Sequence, residues 1–206
     1  MTMEPYKHLT AVAVPLDDAN IDTGRIFPSR FLRKPRSAGY DNFLFRDARF
    51  DEAGNERPEF IMNRAPYRPA RIAVTGANFA CGSSREPAVY AFVDSGFRCI
   101  VAPSFGEIFF SNCFRNGLLP VVLPAEAVLS IRTQLHENPG ALMTVDLERQ
   151  TVRAPGGREH RFEIDSARKL RLTKGLDDAA LAMEYLGDIE QFEKRHHAQW
   201  PWAAPR

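Results

Sequence analysis

The 206-residue chain carries few cysteines (three), two tryptophans, and no apolar run near the ~20 residues of a membrane-spanning helix. The last absence removes helical membrane proteins from the classes to consider. Neither sign of charge dominates: 27 Lys and Arg stand against 26 Asp and Glu, a formal net charge of +1. That balance offers no electrostatic footprint for nucleic acid or an acidic membrane. Cys81, Cys99 and Cys113 lack a C-x-x-C arrangement and a close histidine. Such spacing is poor for a metal or iron–sulfur site within this chain, and three reduced, mostly buried thiols are expected. The opening "MTMEPYKHLT" lacks a basic-then-apolar signal, so a cytoplasmic protein is expected. There is no internal repeat and no low-complexity linker. A chain of this length buries about 70% of its unfolded surface, enough for one domain over residues 1–206 without covalent staples.

What is present reads as a mixed α/β protein. "LTAVAVPL" (Leu9 to Leu16) is a strand ended by Pro15 and the turn-rich "DDAN". Residues 20–42 are basic and without clear period, a long functional loop with a short helix inside. "ARIAVTG" (Ala70 to Gly76) is a buried strand, followed by a helix over Ala88 to Ser95 that Gly96 stops. A strand at "FRCIVA", a short helix near Gly106 to Phe114 and a strand at "LLPVVL" continue the pattern. "AEAVLSIRTQLHEN" has apolar residues at helical spacing, and Leu142 to Ile164 reads as short strands with a turn at Gly156-Gly157. "GLDDAALAMEYLGDIEQFEKRHH" is one capped amphipathic helix that Gly187 could split. The tail, residues 199–206, is expected to be mobile or to set its tryptophans against a partner. A strand–helix–strand core flanked by antiparallel segments implies an α/β sandwich or barrel.

One junction asks for more than secondary structure. "NFACGSSREPAVYAF" (Asn78 to Phe92) places two serines and an arginine between a strand and a helix. Free N–H groups and the dipole make such a helix start attractive to anions. Five residues separate Gly76 from Gly82 and no lysine follows, so this is not a P-loop; G-x-G-x-x-G and G-x-S-x-G are absent as well. Ser83-Ser84-Arg85-Glu86 does fit the S-x-x-E capping box, and Pro87 fits a first helical turn. On this stretch alone, capping outweighs catalysis. Yet capping needs one serine, and it does not need Arg85.

Other segments tip the balance. "NFACGSSREPA" resembles the active-site loop of the aconitase superfamily, in particular of small subunits of 3-isopropylmalate dehydratases. "NIDTGRIFPSRFL" (Asn20 to Leu32), "GFRCIVAPSFGEIFFSNCFRNGLLPV" (Gly96 to Val121) and "GLDDAAL" (Gly175 to Leu181) are similar to further segments of that family, in order. The resemblance implies a swivelling β/β/α domain of the aconitase C-terminal type, a mixed sheet or barrel core with flanking helices. It implies a separate large subunit carrying a [4Fe–4S] cluster, with no cofactor in this chain. It also implies isomerisation of 2-isopropylmalate and 3-isopropylmalate by dehydration and rehydration, a step of leucine biosynthesis.

By the same resemblance, Ser83 is the base, acting as an alkoxide. A serine hydroxyl is a very weak acid, so this role requires strong local donors. Ser84 and Arg85 bind substrate, Arg85 through its planar fork. Arg33, five residues after Pro28, lies in the substrate-recognition loop, residues 20–42; the bland alternative is a solvated basic loop with Arg30, Lys34 and Arg36. Asp22, Thr23 and Asn78 organise the site. Two positions depart from the family pattern: Gly24 replaces an aspartate, and Pro87 replaces a histidine after "SSRE". These departures leave open a paralogue for another 2-substituted malate, citraconate- or methylcitrate-like. A non-catalytic anion-binding module is the alternative from another class.

Overall fold

In the computed structural model, residues 3–82 and 85–203 are described. The backbone of the fold is one seven-stranded mixed sheet, ordered β4-β3-β2-β1-β5-β6-β7. β1 (His8–Leu16) is its hinge strand. Its first half pairs antiparallel with β5 (Leu142–Asp146), and its second half pairs parallel with β2 (Ile72–Thr75). Two short helices follow β1: α1 (Thr23–Ile26) and α2 (Arg46–Arg49). β2 then leads through α3 (Pro87–Asp94), β3 (Cys99–Ala102) and α4 (Glu107–Arg115) to β4 (Leu119–Val122). This parallel half alternates strand and helix, which is the only way parallel neighbours can be joined compactly. α5 (Ala125–Glu137) crosses to β5, and β6 (Thr151–Arg153) and β7 (Glu159–Arg161) complete the antiparallel half.

Alternation along the central strands divides the core between the two faces. Val14, Ala73 and Ile100 face α3 and α4, meeting Val89, Phe92 and Phe109. Ala13, Ile72, Val74 and Val101 face the other way, onto Val128, Ile131 and Leu135 of α5. Both faces are covered, so β2 and β3 are buried at every position, as expected of parallel strands.

The C-terminal region departs from the expected single helix. α6 (Ser166–Lys174) was not legible in the periodicity, because it is strongly basic and buries only Leu172. Its ends are nonetheless marked: Asp165 accepts from Arg168 N, and Gly175 adopts a left-handed φ of 68°. The expected helix beyond it is two, α7 (Asp178–Met183) and α8 (Leu186–Gln199). The break falls at Glu184 and Tyr185, and Gly187 lies inside the first turn of α8. A 3-10 turn, Pro201–Ala203, follows. Among the described residues no helix is long and apolar enough to cross a membrane.

Candidate active site

The carboxyl ends of β1 and β2 lie side by side, and their two loops are laced together. Asn20 N donates to Ala77 O (2.9 Å), Ala80 N to Ile21 O (2.7 Å) and Thr23 N to Cys81 O (3.1 Å). Asp22 and Cys81 form an isolated parallel bridge. Asn20, Asn78 and Ala80 take positive φ values of 56°, 54° and 58°. Asparagine tolerates that region better than most residues because its amide can bond locally. Here the two amides bond each other: Asn78 Nδ2 donates to Asn20 Oδ1 at 2.8 Å, and Asn78 N donates to Ser104 Oγ at 2.8 Å. Gly76 cannot be larger, because a Cβ there would collide with the Asp18 carbonyl. Ser83 and Ser84, the two residues the sequence points to most strongly, lie outside the described residues.

Around them the surroundings are defined. α3 begins at Pro87, with Glu86 at the cap position and no side-chain cap bond. Glu86 Oε1 instead accepts from Asn116 Nδ2 at 3.0 Å, so the glutamate half of the expected capping box is engaged elsewhere. Arg85 is exposed and lines a small cleft of about 90 Å³ with Thr23, Phe27, Leu32, Pro87 and Ala88. Asp22 caps α1, its Oδ1 accepting from Arg25 N at 2.9 Å. Thr23 is buried at the cleft wall. A Cβ on Gly24 would stand 3.0 Å from Asp22 Oδ1, so the cap carboxylate crowds the position where the family pattern has a second aspartate.

The segment 20–42 is far from structureless. Phe27, Phe31, Tyr40 and Phe43 form an aromatic cluster, with Phe31 and Phe43 stacked at 4.2 Å between centroids. Tyr40 Oη donates to Lys34 O at 2.8 Å, pinning the backbone beside Arg33. The basic residues there then separate into two kinds. Arg25 pairs with Asp18, Arg30 with Asp47, and Arg36 with Asp94, the last with Nε 2.9 Å from Oδ2 and its guanidinium over Tyr90. Arg33 is exposed and, like Arg85, has no ion-pair partner among the described residues. The structure does not place Arg33 on the cleft wall beside Arg85; its neighbour Leu32 is there. Asn20, Ser104, Phe27 and Leu32 escaped the sequence reading, although "DDAN" carries an asparagine suited to a left-handed turn.

The thiols behave as expected from burial. Cys99 and Cys113 are buried, and desolvation pushes both thiols up. Cys81 is half-buried and its Sγ lies 3.6 Å from Asn20 O. Among the described residues no group of three or more His, Cys, Asp or Glu could hold a metal ion.

Comparison with known proteins identifies the fold's lineage. The family model for the aconitase C-terminal domain matches residues 3–126, and that for LeuD_N matches residues 131–166. A curated 3-isopropylmalate dehydratase small subunit from Dinoroseobacter shibae is 45% identical over 97% of this chain and 100% of its own length. The chain belongs to the small-subunit family of 3-isopropylmalate dehydratases. Another small subunit, from Rhodospirillum rubrum, is 46% identical over 97% of each chain. The crystal structure of 3-isopropylmalate dehydratase (leuD) from Methanocaldococcus jannaschii matches with a TM-score of 0.60, covering 92% of this chain and 99% of that one, at 22% identity. That likeness concerns the fold, and it agrees with the aconitase-type mixed sheet and flanking helices. Both laced loops lie within the matched aconitase C-terminal segment, whereas α7 and α8 lie beyond both family matches.

Proposed function

We propose that this chain is the small subunit of a two-chain hydro-lyase that interconverts 2-isopropylmalate and 3-isopropylmalate by dehydration and rehydration in leucine biosynthesis. The observation that carries the reading is full-length similarity to small subunits, combined with the exposed guanidinium of Arg85, without an ion-pair partner among the described residues, on a largely apolar cleft. In this reading Arg85 grips one substrate carboxylate through two of its donors. Ser83 takes the proton from the carbon next to a carboxylate as hydroxide leaves the neighbouring carbon; rehydration of the alkene then places a proton on the carbon that lost the hydroxyl and a hydroxyl on the carbon that lost the proton. Ser84 adds a hydrogen bond, and the lacing of Asn20, Thr23, Asn78 and Cys81 fixes where the serine loop starts. Phe27, Leu32, Pro87 and Ala88 give the substituent an apolar wall. That wall suits the apolar isopropyl substituent.

This chain's own residues do not fit an iron–sulfur cluster, since its two deeply buried thiols are separated from Cys81 and no three-ligand group is present among the described residues. The [4Fe–4S] cluster belongs in this reading to the large subunit, and Lewis acidity for the departing hydroxyl is the partner's contribution. The test is reconstitution with a cluster-bearing large subunit, followed by profiling of 2-isopropylmalate, citraconate and 2-methylmalate. Preference for 2-isopropylmalate by an order of magnitude or more in kcat/KM is expected. Equal or better turnover of the smaller acids would assign the chain to the paralogous reaction instead.

A further inference from the structure

α3 has two sides. Ala88, Val89, Ala91 and Phe92 are buried in the core. Glu86, Tyr90 and Asp94 recur every fourth residue, so they line another side of the helix and its cap. The segment 20–42 comes down onto that side. Arg36 donates from Nε to both oxygens of Asp94, at 2.9 Å and 3.2 Å, and its guanidinium carbon lies 4.3 Å from the centre of the Tyr90 ring. Tyr40, which is buried, sets its own ring 6.3 Å from that of Tyr90. An exposed ion pair by itself contributes little. A forked pair that also stacks on an aromatic face fixes orientation as well as distance.

The stretch fastened in this way is the one that carries Arg33. Upstream, Phe31 stacks on Phe43 and its carbonyl accepts from Lys34 N at 2.9 Å. Lys34 O accepts from Tyr40 Oη at 2.8 Å. Downstream, Arg36 is tied to α3. Residues 32–35 therefore bridge two fixed points, with Leu32 on the cleft wall beside Arg85 and Arg33 next to it. Loss of the downstream tie would leave residues 33–38, exposed throughout, held mainly by the Tyr40 bond.

Arg36 itself is poorly placed to meet substrate. Nε and Nη2 are committed to Asp94. Asp94 is the last residue of the eight-residue α3, on the order of 12 Å along the axis from the end that follows Arg85. We propose that Arg36, Tyr90 and Asp94 are positioning residues for the substrate-recognition segment. By fastening that segment to α3, the helix that Arg85 precedes, they set the separation of Arg33 from Arg85, and with it the affinity and selectivity for dicarboxylates. This inference rests on the reading of Arg33 and Arg85 as carboxylate contacts.

Hydrogen–deuterium exchange of the full chain alone reports the fastening. Arg36→Ala should speed exchange of the amides between residues 33 and 40 about tenfold, with the amides of β2 and β3 unchanged. Kinetics of the assembled two-chain enzyme report what the fastening does. Arg36→Ala should raise KM for 2-isopropylmalate about fivefold with kcat within about twofold of wild type, and Arg36→Lys should recover part of the loss. The reciprocal swap, Arg36→Asp with Asp94→Arg, should restore most of the affinity that either single change removes. In an Arg33→Ala background Arg36→Ala should add little, because the residue it positions is already gone. Unchanged exchange in Arg36→Ala would sink the fastening whatever the reaction is. Faster exchange with unchanged KM, or effects of Arg33→Ala and Arg36→Ala on KM that simply multiply, would overturn the positioning role and leave the reaction reading intact. A wild-type pair that turns over none of the dicarboxylates would remove the reaction reading and this role with it.

Discussion

Ser83 lies outside the described residues and Arg33 within them, and the phenotypes expected of their variants differ. The cap position of α3 belongs to Glu86, and the glutamate's carboxylate bonds Asn116 instead of reaching back along the helix start. Ser83→Ala should therefore leave the melting temperature within a few degrees, corresponding to at most about 1 kcal/mol, while kcat of the assembled enzyme falls by at least ~100-fold. Retained activity with a lowered melting temperature would return Ser83 to a capping role. Among the described residues Arg33 has no carboxylate partner, unlike Arg25, Arg30 and Arg36 nearby. Arg33→Ala should raise KM by about tenfold with little change in stability, and Arg33→Lys should recover part of that, since an ammonium lacks the fork. The suitable control is Lys34→Ala, which changes charge on the same exposed stretch. Arg36→Ala cannot serve, because it releases Asp94 and the Tyr90 ring. Equal, small effects at Arg33 and Lys34 would show that the loop contributes diffuse positive charge only.

At the scale of elements, the two loops after β1 and β2 act as one piece because asparagines clasp them. Asn20→Gly keeps the left-handed backbone but removes the amide that accepts from Asn78; Asn20→Asp keeps the accepting oxygen. If the clasp positions the serine loop, the glycine variant loses about tenfold or more in kcat with KM little changed, and the aspartate variant recovers most of it. Steady-state kinetics on the three proteins decides this; two variants equal to wild type would mean that the backbone lacing alone suffices. The recognition segment is held differently. Its aromatic cluster supplies rigid packing, and hydrogen bonds from Arg30 hold the Asp47 carboxyl below its usual range. A lowered carboxyl pKa means that this anchoring is present above about pH 4 and is lost only as pH falls through the folded-state value, so it is constant across the physiological range.

At the scale of the whole molecule, a sheet covered by helices carries an open cleft. The sheet is covered on both faces, yet the cleft beside Arg85 is small and open, and no ligand set for a cluster exists among the described residues. The purified chain alone should therefore be folded, show no iron–sulfur absorbance in the visible range, and lack dehydratase activity. Both properties should appear together on addition of the cluster-bearing partner. Activity in the isolated, colourless chain would sink the two-subunit reading.

The sequence by itself determined the features set by neighbours along the chain. Apolar runs and helical apolar periods located β1 to β4 and α3 to α5 within a residue or two, because each such pattern is a statement about one face of one element. The motif segments, read in order, pointed to the family. Asp177, the start signal of α7, does accept from Ala180 N at 2.7 Å. The tertiary structure decided what depends on residues far apart. Asn20 and Asn78 are 58 positions apart and meet only because β1 and β2 pair in parallel. Arg33 and Arg36 look alike in a basic run, and the position of Asp94 on α3 makes Arg36 a clamp, whereas Arg33 has no ion-pair partner among the described residues. α6 needed Leu172 to find the second core, since its own period was drowned by charge. Short-range sterics and solvation act on every chain conformation and so leave a local mark, whereas pairing across the sheet exists only in the folded state.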